Sequence, residues 1–303
     1  MRRASASDGT ENPRPLDGLL LKRGLLRLRA ANLLVLAVML MTHADVVRAE
    51  PATLSIELQG QTRHFSTTEL LANPATRTLD IPDDPAYGRP MRYRAVPLLE
   101  ILHRLGNDAA DTIEALATDG FVSQLPWRLV ERSASGGAVA WIAIEDPAHS
   151  WPNLPSKSYS AGPFYLVWEH PKQSGVTTEQ WPYALVSLAG VSDPLHRWPQ
   201  LSIAANVPAD DPSRRGQAVF LVQCFPCHRL YGAGAGAQGP DLGSPMPATS
   251  YMTLAGLKAL LRDPSAVRKW PGQQMPSFDA DTLPDSDIDA VIAYLTRITG
   301  QRR

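Results

Sequence analysis

Cysteine is nearly missing from this chain: its 303 residues include two, Cys224 and Cys227, and none precedes them. That scarcity excludes a disulfide-rich secreted scaffold and any zinc or iron–sulfur site built from four thiolates. Long apolar runs are missing too. The longest, residues 33–41, has nine residues, well short of the ~20 that a bilayer-crossing helix needs. There is no surplus of charge of either sign, since 29 Lys+Arg face 30 Asp+Glu. That balance argues against nucleic acid as a partner. What the chain does have is 27 prolines and 21 glycines, which point to many loops and short elements rather than a helix bundle. With 44% hydrophobic residues, it reads as globular and not as a disordered or fibrous chain.

The charge balance hides an asymmetry. Residues 1–49 hold eight Lys/Arg against four Asp/Glu, and the remainder holds 21 against 26. Arginines lead into the short apolar run, and Val47-Arg48-Ala49 follows it. A basic start, a short apolar core and a small-residue exit describe a cleavable export signal, with cleavage expected near Ala49. The expected location is the bacterial periplasm. A membrane tether follows only if the signal is not cleaved.

Residues 51–200 show mixed patterning. Leu54, Ile56 and Leu58 alternate as in a half-buried strand. Gly60-Gln61 can turn the chain, and Ser66-Thr67-Thr68-Glu69 is a capping-box pattern opening a short helix. Leu98, Ile101, Leu102 and Leu105 share one helical face between Pro97 and Gly106. Short apolar runs at 113–117, 138–144, 164–168 and 184–188 read as strands. The expected fold is therefore two domains: an α+β front domain over 51–200, a linker over 201–211, and an all-α domain over 212–303.

Cys224-Phe225-Pro226-Cys227-His228 is a C-x-x-C-H motif, the attachment signature of a c-type haem. In a helical turn, positions i, i+3 and i+4 share one face. Cys224 and Cys227 can thus form thioethers to two haem vinyl groups while His228 faces the iron. A thioredoxin-like redox pair would need a preceding strand in a βαβ unit, and half a zinc site would need a second half. The sequence offers neither.

From 212 to 300 the chain resembles a class I cytochrome c domain. Gly216 and Phe220 precede the motif, Tyr294-Leu295 lies near the end, and Gly239-Pro240-Asp241-Leu242 follows the motif. The resemblance implies that the first and last helices cross, an aromatic residue packing on a small one. It implies that the Pro240 carbonyl accepts a hydrogen bond from His228, fixing the imidazole. It also implies a methionine as sixth iron ligand. Met275, in Met275-Pro276-Ser277-Phe278, fits that segment better than Met246, which lies too soon after His228, or Met252. The cofactor expected is one covalent haem c with His228 and Met275 as axial ligands. Iron so filled passes single electrons and has no open site for oxygen or substrate.

The front domain resembles a shortened sulfite-oxidase-type molybdopterin-binding domain, through Glu69-Leu70-Leu71, Tyr93-Arg94-Ala95-Val96-Pro97-Leu98-Leu99, Thr118-Asp119-Gly120-Phe121 and 161–167. Those enzymes hold molybdenum by a cysteine thiolate. None precedes Cys224, so molybdopterin is not expected and no catalytic residue is assigned. The resulting expectation is an electron-transfer protein, not an enzyme, whose front domain docks or recognises a redox partner protein. The alternatives are a fused oxidoreductase whose front domain acts on a small substrate, and a redox sensor or maturation factor. Six tryptophans in residues 127–198 are read as packing, the scattered histidines of this region as non-ligands, and the aspartates between 279 and 289 as capping and solvation. Residues 232–239 (GAGAGAQG) are read as a flexible loop at the haem edge.

Overall fold

Alternating side chains build the first half of the fold. Strand β1 (Thr53–Leu58) buries Leu54, Ile56 and Leu58 on one face. Gln59 and Gly60, with φ of 55° and 73°, close a hairpin into β2 (Gln61–Ser66), so that Leu58 faces Gln61. A two-residue hairpin of this kind needs positive φ at both central positions. The turn therefore falls one residue earlier than Gly60-Gln61. Ser66 Oγ accepts a hydrogen bond from the Glu69 amide at 3.0 Å and caps α1 (Thr67–Leu71).

The computed structural model describes residues 51–106 and 110–302; the export signal read in residues 1–49 lies outside them. After α1 come β3 (Arg77–Asp84), β4 (Arg89–Pro97), α2 (Leu98–His103), β5 (Thr112–Ala117), β6 (Val122–Pro126), α3 (Trp127–Glu131), β7 (Val139–Ile144), β8 (Phe164–Glu169) and β9 (Leu185–Val191). They form a five-stranded sheet in the order β2-β1-β9-β5-β6 and a four-stranded sheet in the order β3-β4-β7-β8. β1 and β9 run parallel; the other described pairs are antiparallel.

The front part is thus richer in sheet than the α+β expectation. The strands that periodicity missed are β2, β3, β4 and β6. Three of these, β2, β3 and β6, are edge strands. Edge strands carry charged and polar side chains, as in Arg77-Thr78-Leu79-Asp80 of β3, so their apolar rhythm is weak. In the front core Trp127, Trp141, Trp168 and Trp181 are buried, which accounts for them by packing. Asp84, buried in this core, accepts hydrogen bonds from Tyr93 Oη (2.7 Å), Tyr165 Oη (3.3 Å) and the amides of Ala86 (2.9 Å) and Tyr87 (3.0 Å). Burial still pushes its carboxyl above the ordinary range, although these donors oppose the shift.

The second half is helical: α4 (Pro194–Arg197), α5 (Pro212–Gln223), α6 (Ala248–Tyr251), α7 (Leu254–Arg262), α8 (Pro264–Val267) and α9 (Asp285–Gly300). It has its own hydrophobic core. Leu201 and Ile203, placed by sequence in a linker, are buried in that core. The Leu201 carbonyl accepts hydrogen bonds from Tyr294 Oη (2.8 Å) and Gln217 Nε2 (2.6 Å). The start of the 201–211 segment is therefore a strap across α5 and α9. Its two large apolar residues are too few to show a period in sequence. Among the described residues, no helix is long and apolar enough to cross a membrane.

Candidate haem-attachment site

Helix α5 starts at Asp211, whose carboxylate accepts from the Ser213 amide at 2.9 Å, with Pro212 in the first turn. It crosses α9 at Gly216. A Cβ there would lie 1.8 Å from the Ala290 carbonyl oxygen and 2.9 Å from Tyr294 Cβ, so only glycine lets the two backbones approach this closely. Four residues on, the Phe220 ring lies 5.3 Å from that of Tyr294. The crossing fixes the direction in which the chain leaves α5.

It leaves as one more helical turn. The amides of Cys224 and Phe225 donate to Phe220 O, and those of Cys227 and His228 donate to Cys224 O, the last at 2.9 Å. This i→i+4 bond places His228 one turn after Cys224. His228 Nδ1 lies 2.8 Å from Pro240 O. A carbonyl only accepts, so Nδ1 carries the proton and Nε2 is the lone-pair nitrogen of the neutral ring. Burial lowers the imidazole's pKa, against the pull of the Pro240 bond. Gly239 lies against the same ring, where a Cβ would come within 2.3 Å of Cε1.

Both cysteines are free thiols. Burial, with Glu179 nearby, pushes Cys224 and Cys227 up to about 12, so they are neutral at ordinary pH. Cys227 Sγ donates to Gln238 Oε1 at 3.0 Å. Two unpaired thiols and an imidazole with a free Nε2, one turn apart and partly buried, fit a haem held by two thioethers and one axial nitrogen.

Met275 is partly buried against the second core, as is Met252, whereas Met246 is 52% exposed. Arg262, which sequence reasoning did not single out, pins the segment after Met275. Its Nη1 donates to the carbonyls of Phe278 (2.8 Å), Asp279 (3.0 Å) and Leu283 (2.6 Å). Its Nη2 bonds Asp285. Asp285 is the first helical residue of α9, and Pro284 holds the cap position without a side-chain bond. Asp285 is thus not the N-cap. Three more aspartates of this run are engaged as well: Asp287 with Arg215, Asp289 with Lys258, and Asp279 with the Thr282 amide.

The glycine-rich loop is tied down rather than flexible. Its Ala237 amide donates to Gly120 O (3.1 Å) and its Gly239 amide to Cys227 O (2.9 Å), while Gly236 O accepts from Arg229 Nε (3.2 Å). Gly236 answers close approach: a Cβ there would lie 2.7 Å from Pro226 O. Asp241 anchors the next turn. Burial raises its carboxyl, but the amides of Tyr231, Gly232, Gly243 and Ser244 outweigh this and hold it below the ordinary range.

The front domain meets the motif directly. The Val122 amide of β6 donates to Pro226 O at 2.9 Å. Trp198 stacks edge-on against Phe225 at 5.3 Å. Beside these contacts lies a cavity of about 470 Å³, lined on one side by Asp119, Phe121, Glu179, Trp181 and Tyr183 and on the other by Cys227 and residues 276–279. Glu179 sits in a short 3-10 turn whose carbonyl accepts from Ser123 Oγ at 2.9 Å. Burial pushes its carboxyl up to about 7. Asp119 and Glu179 are the site residues that motif reading missed; a lone acid in a loop carries no spacing signal.

A helical unit in which α5 and α9 cross at a glycine, with a C-x-x-C-H turn at the end of α5, defines a haem-attachment domain. Residues 213–299 match the cytochrome c family model, and this part of the chain is a cytochrome c domain, a family that binds haem c covalently and transfers electrons. No curated protein matches the chain.

Proposed function

We propose that the protein is an exported, periplasmic carrier of single electrons with one covalent haem, and that the front domain docks or recognises its redox partner. The observation that carries this reading is the pairing of the 224–228 turn with Pro240 at His228. Cys224 and Cys227 would hold the haem. His228 and Met275 would fill both axial positions, and the Pro240 carbonyl would hold the imidazole in one tautomer and orientation. Haem bound in this way supplies a one-electron couple with no vacant coordination position. The front domain is read as a shortened relative of the sulfite-oxidase molybdopterin domain with no metal of its own, because no cysteine precedes Cys224. This leaves the protein an electron-transfer protein rather than an enzyme.

The direct test is iron and molybdenum analysis of the full chain purified from the exported fraction, with the haem quantified in parallel. One iron per chain and no molybdenum is the expected result. Stoichiometric molybdenum would overturn the cofactor-free reading. Cys224→Ser and Cys227→Ser should each abolish stable attachment through two thioethers.

A second reading, a fused oxidoreductase acting on a small substrate, is favoured by one observation, the cavity between front-domain side chains and Cys227.

A further inference from the structure

Between α8 and α9 the chain carries Met275 through a stretch without regular structure. The first backbone hydrogen bond after Met275 comes three residues on, where the Phe278 amide donates to Leu261 O at 3.1 Å. The carbonyl of the same residue accepts from Arg262 Nη1 at 2.8 Å. The last two residues of α7 thus hold Phe278 by both its amide and its carbonyl, and the Phe278 ring is buried in the second core. Only Pro276 and Ser277 separate Met275 from this anchor. Proline fixes its own φ, so the link is short and stiff, and the position of Phe278 is passed on to Met275.

The Arg262 guanidinium does more than hold one carbonyl. Nη1 also donates to Asp279 O (3.0 Å) and Leu283 O (2.6 Å), and Nη2 to Asp285. The Leu283 amide donates back to Asp279 O at 2.9 Å, so the guanidinium closes the turn over 279–283. One side chain, 28% exposed, therefore joins the end of α7, the turn after Met275 and the start of α9. Hydrogen bonds from a charged donor are the stronger kind, and the planar fork of arginine fixes their directions. A thioether is a neutral, weak donor to a metal, so its bond depends on how well the chain holds the sulfur in place. Groups that orient a ligand without touching the metal change metal affinity by about 10–100-fold.

We propose that Arg262 is a positioning residue for the sixth haem ligand: by gathering the carbonyls of Phe278, Asp279 and Leu283, it holds Met275 where its sulfur excludes a competing ligand. The proposal deepens the electron-carrier reading and rests on Met275 being that ligand. Arg262 touches neither iron nor haem in this role. It acts through the backbone that carries Met275.

The test is spectrophotometric titration of the oxidised, haem-loaded full chain with imidazole, which binds the iron only where methionine gives way. Arg262→Met should raise the affinity for imidazole about tenfold, the order of a lost contact behind a metal ligand. Arg262→Lys, which keeps the charge but not the planar fork, should raise it by less. Met275→Ala should raise it most, and Arg262→Met should add nothing in that background, because no sulfur remains to be held. A merely structural role would instead lower the denaturant midpoint and leave the affinity alone, or shift it equally with and without Met275. An affinity unchanged in Arg262→Met, or the same increase in both backgrounds, would overturn the proposal. Should Arg262→Met fail to retain haem, Arg262→Lys is judged by the same two comparisons. Unchanged affinity in Met275→Ala would overturn the ligand reading and the proposal with it, whereas an increase there with none in the Arg262 variants would overturn the proposal alone.

Discussion

The Val122 amide donates to the carbonyl of Pro226, between the two cysteines of the C-x-x-C-H turn, at 2.9 Å. One strand edge of the front domain is thereby hydrogen-bonded to the segment that would carry the haem, and the Ala237 amide returns a second bond to Gly120. These two backbone bonds join the β5–β6 turn and the start of β6 to the C-x-x-C-H turn and the glycine-rich loop after it.

Gly120 tests that junction. Its φ is +85°, and a Cβ would meet Ala237 Cβ at 3.1 Å, so Gly120→Val adds both backbone strain and a clash. Amide exchange at Val122 and Ala237 should accelerate in this variant while that of Leu54 and Ile56 stays slow. Unchanged exchange at Val122 would show that the junction does not depend on this turn.

Gly216 tests the helix crossing. Gly216→Val drives methyl groups into the Ala290 carbonyl, which as backbone cannot swing away. The expected loss is at least about 2 kcal/mol in denaturant unfolding of the haem-loaded chain. A neutral variant would mean that α5 and α9 separate freely.

Met275 and Met246 give a paired test of the sixth ligand. Met275→Ala should open that coordination position and lower the reduction potential, because methionine ligation raises it. Met246→Ala, at a side chain 52% exposed, should change neither spectrum nor potential. A wild-type potential and spectrum in Met275→Ala would remove Met275 from the ligand set.

Glu179 makes stability depend on pH. Its carboxyl is raised from 4.5 to about 7, so the folded chain holds this proton more tightly than the unfolded chain. The contribution is fully present below about pH 4.5 and is lost as pH rises through 7. Asp119, Asp279, Lys157, Tyr159 and Tyr183 are the other charged and titratable groups that line the same cavity, the two cysteines being thioethers in the haem-loaded protein. Thermal unfolding of the haem-loaded protein between those pH values should flatten in Glu179→Gln. An unchanged slope would assign the pH dependence to another group.

Asp241 carries a structural expectation. Asp241→Ala leaves four backbone amides without their acceptor, at a cost of about 2 kcal/mol. Asp241→Asn should recover part of it. Denaturant midpoints of the two variants provide the check.

The haem-attachment turn was legible in the residues because its chemistry is local. Two thiols and an imidazole must lie within one turn, so Cys224, Cys227 and His228 lie within five positions of the chain. The same holds for strands β1, β5, β7, β8 and β9, whose large apolar side chains recur at short intervals. The edge strands β2 and β3 stayed silent because water covers much of their surface, and β6, though buried, stayed silent because Ser123 and Gln124 interrupt its apolar side chains. Leu201 and Ile203 read as linker for a related reason: a strap is recognised by what it crosses, here α5 and α9.

By itself the sequence determined the motif, the glycine at the helix crossing and the absence of any earlier cysteine. Only the tertiary structure decided that Arg262 pins the segment after Met275, that Asp241 gathers four amides, and that Asp119 and Glu179 line one cavity with Cys227. The physical reason is range. Covalent and helical-turn geometry acts over a few residues, whereas carbonyl anchoring and the desolvation of a carboxylate depend on atoms that meet only when the chain has folded.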